Sequence, residues 1–472
     1  MNKSLTKLTG LVAAISVTTL VLAACGGGGG GGTREVRYFA ADDGVNGDEL
    51  WKSDGTAAGT VMVKDINATA AGMSSSPNSF TNFNGHTYFA ADDGVNGTQL
   101  WKTDGTDAGT VMVKNINGLK GSLPGNLAVF NGELYFAAGD SVFGTELWKT
   151  DGTDAGTVMM MDINRTTPPP FSLTPSGSNP SALTVFNGKL YFSADDGING
   201  RELWRTDGTV VNTFLVDINP TASSNPAGFT VLNGMMFFAA TDGTNGIELW
   251  KTDGTTTVMV KDINATASGA DSNPAGFAEF NGVLYFSADD GLNGRELWAT
   301  DGSNVSTVNL NATPPVAPST LPASSNPSGF IPFNGKLYFA ANDGTNGLEL
   351  WSTDGASTSM LKDINTRVST GSNPSNFTVF NGALYFSAGD NISGYELWKT
   401  DGTAAGTVLV KDINTTATLH SNPQLFTVLN GLLYFMADDG VHGYEWWQSD
   451  GTAANTKLLK DICPGACGGF IT

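Results

Sequence analysis

Residues 224–264 read SNPAGFTVLNGMMFFAATDGTNGIELWKTDGTTTVMVKDIN. Four short apolar segments are set apart by turn residues. GFTVLNG ends in Asn233-Gly234. MMFFAA is followed by Thr241-Asp242-Gly243-Thr244-Asn245-Gly246. IELWKT is followed by Asp253-Gly254, and TVMVKDI comes last. Asn-Gly and Asp-Gly between apolar runs are strong hairpin signals, because both residues tolerate positive φ. None of the segments has helical length or a 3.6-residue period. The unit is expected to be a four-stranded antiparallel meander, with strands a, b, c and d in chain order.

The same unit recurs along the chain. Its Trp falls at Trp51, Trp101, Trp148, Trp204, Trp250, Trp298, Trp351, Trp398 and Trp447, a period of roughly 50 residues, the length of kelch-like repeats. The strand Asn334-Gly335-Lys336-Leu337-Tyr338-Phe339 resembles the corresponding kelch segment. One four-stranded sheet cannot bury both of its faces, but a ring of such sheets can, and it keeps only short, protected edges. The expected fold is all-β: a single β-propeller of nine four-stranded antiparallel blades over residues 34–472. An open β solenoid of the same repeats is the alternative. The first copy starts at Arg34-Glu35-Val36-Arg37-Tyr38-Phe39 and lacks strand a. Gly469-Phe470-Ile471-Thr472 aligns with Gly228-Phe229-Thr230-Val231 and is expected to close the ring beside Tyr38-Phe39. One Trp per copy at a fixed strand position is expected to be core between blades rather than a sugar-stacking platform.

The motif Glu248-Leu249-Trp250-Lys251-Thr252-Asp253-Gly254-Thr255 resembles that of the bacterial ELWxxDGT-repeat proteins, with variants at Gln99, Trp446, Ala356 and Ser303. The resemblance implies a secreted or surface repeat protein and carries no established activity. Residues 1–24 have a basic start, an apolar run from Leu8 and small residues at the end, the pattern of a secretory signal peptide. Leu22-Ala23-Ala24-Cys25 resembles the lipobox of bacterial lipoproteins, which implies cleavage before Cys25 and acylation of its thiol. Residues 25–33 then form a lipidated, Gly-rich tether. Gly26 after the cysteine implies an outer-membrane lipoprotein by the same resemblance, with a membrane contact through the lipid.

The chain has 472 residues, 45 Asp+Glu, 24 Lys+Arg and a formal charge of −21. That balance excludes nucleic acid as a partner, since phosphates need a basic face. Only His86, His420 and His442 are histidines, too few and too scattered for zinc or Ser-His-Asp chemistry. The acids follow the repeat: an Asp in every b–c turn, an Asp in every c–d turn, a Glu in strand c and an Asp ending strand d. Turn Asp side chains cap backbone N–H groups, and that is the expected role of these. Calcium is the one cofactor the pattern offers, at Asp42, Asp43, Asn46 and Glu49; alternatively Glu49 points into a blade interface and pairs with a Lys such as Lys64. Arg201 and Arg295 occupy equivalent repeat positions and are expected on the surface.

A ligand site should break the repeat. The proline-rich connections at 165–180 and 311–327 do so, and they share a face with the b–c turns. Phe143, Phe171, Ile392 and Tyr395 are the candidate ligand face. Cys463 and Cys467 are expected to form a disulfide in an exported protein. With no catalytic constellation in the chain, the expected role is a non-enzymatic binding or scaffold module for a protein or glycan ligand. A propeller glycan hydrolase or lyase and a calcium-stabilised surface protein are the alternatives.

Overall fold

The computed structural model describes residues 35–166, 175–303, 308–309, 324–367, 369–416 and 419–464. They form nine antiparallel sheets, one per repeat. Eight sheets have four strands in the order a-b-c-d, and the first has b, c and d (Arg37–Asp42, Asp48–Ser53 and Val61–Lys64). Among the described residues, one 3-10 turn, Gly118–Lys120, accompanies the strands. The segment at 469–472 expected to complete blade one lies outside the described residues.

Blade five shows why the repeat folds this way. Strand a is Ala227–Leu232, b is Met235–Thr241, c is Ile247–Thr252 and d is Thr257–Lys261. The a–b hairpin turns on Asn233 at φ 50° and Gly234 at φ 74°, the geometry of a type I′ turn. Strand b then sets Phe238 opposite Trp250 and Ala240 opposite Glu248. Its five central residues are all buried, because a blade in the middle of a stack covers both faces of its inner strands. Strand a of each blade touches strand a of the next from blade two to blade nine, so the a strands surround the axis and the d strands lie outermost.

Neighbouring blades meet face to face. Between blades three and four, Phe130, Tyr135 and Leu147 pack against Leu190, Phe192 and Trp204. The Trp column is therefore core between blades, as its regular spacing implies. The lysine after the Trp ties the same seam: Lys52 Nζ donates to Gly105 O at 2.7 Å and Lys399 Nζ to Gly451 O at 2.8 Å, each in the following blade. The c–d glycine is fixed twice over. Gly402 sits at φ +98°, and a Cβ there would lie 2.8 Å from the hydroxyl of Tyr338 in the preceding blade. Only a residue without a side chain meets both demands.

The ring closes, which rules out the open solenoid. Trp51 of blade one packs with Ile462 and Trp446 of blade nine. Tyr434 Oη donates to Gly55 O at 2.9 Å, and Lys460 Nζ donates to Thr60 O at 2.7 Å while lying 5.4 Å over the Trp51 ring. These are the contacts that Lys411 makes with Thr456 and Trp447 one seam earlier.

Candidate ligand face

Strand order places the b–c turns and d–a loops together on one face and the a–b and c–d turns on the other. The c–d turns are hydrogen-bonded corners. In blade one, Asp54 Oδ1 accepts Thr56 N (2.9 Å) and Thr56 Oγ1 (2.7 Å), and Thr56 Oγ1 accepts Gly59 N (2.9 Å). In blade two the Thr106 hydroxyl and backbone N–H hold Asp104 below its ordinary carboxylate value. The Asp-Gly-Thr signature thus records one corner, copied around the ring.

The b–c turns behave alike. Asp43 Oδ1 accepts Val45 N (2.9 Å) and Asn46 N (2.8 Å), and Asp43 Oδ2 accepts Asn46 Nδ2 (2.8 Å). Burial works against the Asp43 charge, but these donors outweigh it and hold the carboxyl below its usual range. Asp42 Oδ1 accepts Gly44 N at 2.7 Å.

Glu49 turns away from this loop. It is fully buried, and it accepts Ile66 N at 2.7 Å, Ser75 N at 3.0 Å and Ser75 Oγ at 2.5 Å. The four calcium candidates are therefore not brought to one centre: Asp42 and Asp43 cap turn N–H groups, Asn46 donates to Asp43, and Glu49 anchors the d–a loop. Among the described residues, no three His, Cys, Asp or Glu gather around a common point. The Glu49–Lys64 pair also gives way. Lys64 reaches across the seam to Asp107 Oδ1 at 3.0 Å, because strand d lies at the rim and Glu49 lies inside the loop.

The serine N–H and hydroxyl bind the glutamate in the same knot at Glu146, Glu202, Glu248, Glu296, Glu349 and Glu396, whereas in blade nine Glu445 takes Cys463 N. Glu248 takes Ile263 N, Ser272 N and Ser272 Oγ at 2.8, 3.1 and 2.6 Å. Burial pushes Glu248 and Glu396 up to about 7 against the pull of their serine and backbone donors. The knot pins each d–a loop to strand c, so the face is a rigid rim. Arg201 and Arg295 also belong to this frame rather than to the surface. Arg201 Nη1 donates to Asn179 O at 3.0 Å, and Arg295 Nη2 to Asn273 O at 2.8 Å, fastening the loop that enters the blade.

Blades three and eight depart from the turn pattern. Their b and c strands run longer, Glu133–Asp140 with Gly144–Thr150 and Ala383–Asp390 with Gly394–Thr400, so the turns between them are tight. The tight turns expose Phe143 (37%) and Ile392 (79%). Tyr395 is half-buried instead, edge-on to His420 with ring centroids 5.1 Å apart. Its Oη accepts Asn373 Nδ2 at 2.5 Å, and its N–H donates to His420 Nδ1 at 2.9 Å. That bond uses His420 Nδ1 as an acceptor. Tyr395 and His420 line a cavity of about 230 Å³ between blades seven and eight, together with Arg367, Asn373, Asp390 and Asn391. A second cavity of about 530 Å³ lies near the axis at blades three to five, with Leu123, Asn126 and Arg201 in its wall.

Four of the expected site residues thus separate. Tyr395 lines the smaller cavity, Ile392 lies exposed on the turn before it, Phe143 stands on the equivalent turn of blade three, and Phe171 lies outside the described residues. Cys25 and Cys467 also lie outside them, while Cys463 is buried and disulfide-bonded. The sequence reading missed His420, Arg367 and Asn373. His420 carried a signal, since it stands before Ser421-Asn422-Pro423 where other copies carry Ser74, Ser223 or Ser324.

No known protein family matches the chain, and no curated protein matches it. Among solved structures, a computationally designed protein, Ika8, is similar at a TM-score of 0.42 and 13% identity, covering 78% of this chain and 95% of its own. Puromycin hydrolase is similar at a TM-score of 0.37 and 14% identity over 85% of this chain, which spans 62% of that enzyme. The β-propeller domain of the trilobed protease from Pyrococcus furiosus follows at 0.34 and 9%, over 70% of this chain and 96% of that domain. Likeness at this level carries no functional inference.

Proposed function

We propose that this is an exported, lipid-anchored, non-enzymatic propeller of the ELWxxDGT-repeat kind that binds a glycan or protein on its b–c and d–a face. One observation carries the reading. The b–c turn aspartates and the strand-c glutamates serve to cap corners and anchor loops, whereas Tyr395 and His420, which break the repeat, meet at one cavity. An aromatic pair set among amide and charged side chains suits a sugar ring or a polar peptide side chain. Cys25 would tether the domain to the membrane through its lipid and the glycine run.

The test is a glycan array and a pull-down with residues 34–472, comparing the wild type with Tyr395→Ala. The substitution is expected to weaken the captured ligand at least ~10-fold, the scale of one lost aromatic anchor, while the ring stays folded. Equal binding by both proteins would remove this cavity from the account.

A further inference from the structure

Arg367, His420 and Tyr395 line the smaller cavity, and each leaves a hydrogen-bond donor uncommitted. Arg367 stands three positions after Ile364. At that place in other copies, Thr69, Thr166, Thr221 and Thr266 turn their hydroxyls back onto the loop asparagine, as Thr69 Oγ1 does to Asn67 Oδ1 at 2.7 Å. Arginine makes no such bond: only the Arg367 backbone N–H reaches Asn365 Oδ1. The residue is exposed, and its guanidinium has no hydrogen-bond or ion-pair partner among the described residues.

His420 stands where Ser74, Ser223 and Ser324 accept the N–H of the residue before the strand-c glutamate. It performs the same service for Tyr395 N through Nδ1. The neutral ring therefore carries its proton on Nε2, which makes that atom a donor, and no described residue accepts from it. Tyr395 Oη is an acceptor for Asn373 Nδ2, so its own proton is likewise free among the described residues. One acceptor accompanies these donors in the cavity wall. Asp390 Oδ1 takes Ile392 N and Ser393 N at 2.8 and 2.6 Å. Its Oδ2 takes nothing, because Ser393 stands where Asn46 donates to Asp43 Oδ2.

Three donors, one of them a permanent cation, select for an anionic oxygen ligand. The edge-on rings of Tyr395 and His420 add apolar surface, and Asp390 Oδ2 asks for a hydroxyl donor. A peptide carboxylate would use the donors but brings no hydroxyl to Asp390, whose charge would repel it. We infer that the cavity takes a uronic-acid residue of an acidic polysaccharide, with its carboxylate on Arg367 and His420 Nε2 and a ring hydroxyl on Asp390. This assignment rests on the reading of the cavity as the ligand site and narrows that site to one chemical class. The volume of about 230 Å³ is smaller than the ~300–1,000 Å³ of sites that enclose a drug-sized molecule, so one sugar ring enters and the rest of the polysaccharide stays outside. The chain's charge of −21 repels a polyanion at a distance, so the affinity comes from the local cation and not from the surface as a whole.

The experiment is titration calorimetry of residues 34–472 in calcium-free buffer at pH 7. The probes are oligomers of galacturonic acid and of mannuronic acid, their methyl esters, and a polyglutamate peptide. Two variants restore what other copies carry and so keep the loops: Arg367→Thr, and His420→Ser, which retains an acceptor for Tyr395 N. Arg165→Gln removes an exposed charge from the equivalent loop of blade three and serves as the charge control. At least one acidic oligomer is expected to bind the wild type and Arg165→Gln equally. Arg367→Thr and His420→Ser are expected to weaken it at least ~10-fold, the scale of a lost charge-assisted bond, and the methyl ester to bind as weakly. No binding of either acidic oligomer, or equal binding by all four proteins, overturns the assignment. So does polyglutamate binding that alone shows the same losses, since the ligand would then be an acidic protein segment. A neutral glycan that Tyr395→Ala releases but Arg367→Thr and His420→Ser retain would leave the cavity as the ligand site and overturn only the uronic-acid class.

Discussion

Trp51→Ala is expected to destabilise the ring as severely as Trp250→Ala does, by about 3–5 kcal/mol, the usual cost of emptying a large aromatic site in a core. Trp250 lies in an internal seam, packed with Phe186, Tyr191 and Leu203 of the preceding blade. Trp51 belongs to the first blade in the sequence, and in an open array its outer face would meet water. In the ring it meets blade nine, with Ile462 and Trp446 against its rings and Lys460 above it. Chemical denaturation of the two variants should give matching losses. A loss below about 1 kcal/mol for Trp51→Ala beside a full loss for Trp250→Ala would mean that the last seam is not a packed one.

Glu349→Ala should rank next, with a cost of roughly 3–5 kcal/mol. The carboxylate receives Ile364 N, Asn365 N, Ser372 N and Ser372 Oγ at 3.0, 3.2, 2.8 and 2.6 Å, all from the loop leaving its blade. Alanine leaves these buried donors without an acceptor, at about 1–3 kcal/mol for each group that water cannot reach. Native-state hydrogen exchange should accelerate first between Ile364 and Ser372. A catalytic glutamate would behave in the reverse manner, since its removal spares stability. A stable Glu349→Ala protein would reopen the enzyme reading.

Much of the fold could be read because its signals are local and repeated. Asn233-Gly234 forces a type I′ turn whatever surrounds it, and the Trp period counts the blades. The turn aspartates were equally legible, since Asp43 bonds only to residues two and three further on. The glutamates were not. Glu49 reads as a calcium ligand or an interface partner of Lys64 until the chain returns from Ile66 and Ser75 to surround it, and such contacts leave no spacing signature. Strand a hid a second feature. Ser79, Asn126, Ala182 and Leu425 all hold positive φ at one position, where Gly228, Gly276 and Gly329 stand in other blades. A register shift interrupts the a–b pairing there in every copy. Ala and Leu are poor residues for that conformation, so their presence disguised the bulge. The ligand face was legible only as departure. Ile392 and Tyr395 stood out as variants, but the meeting of Tyr395 with Asn373 and His420 depends on the loops on either side of its blade.

Every functional statement about one shared face depends on closure, so a distance between blades one and nine tests it most directly. Spin labels on the exposed c–d turns at Ala404 and Ala453 mark blades eight and nine, and labels at Ala453 and Ala57 mark blades nine and one. The closed ring predicts the same separation for both pairs, because each spans one seam. A second separation much longer than the first, or a broad distribution beside a narrow one, would contradict the ring.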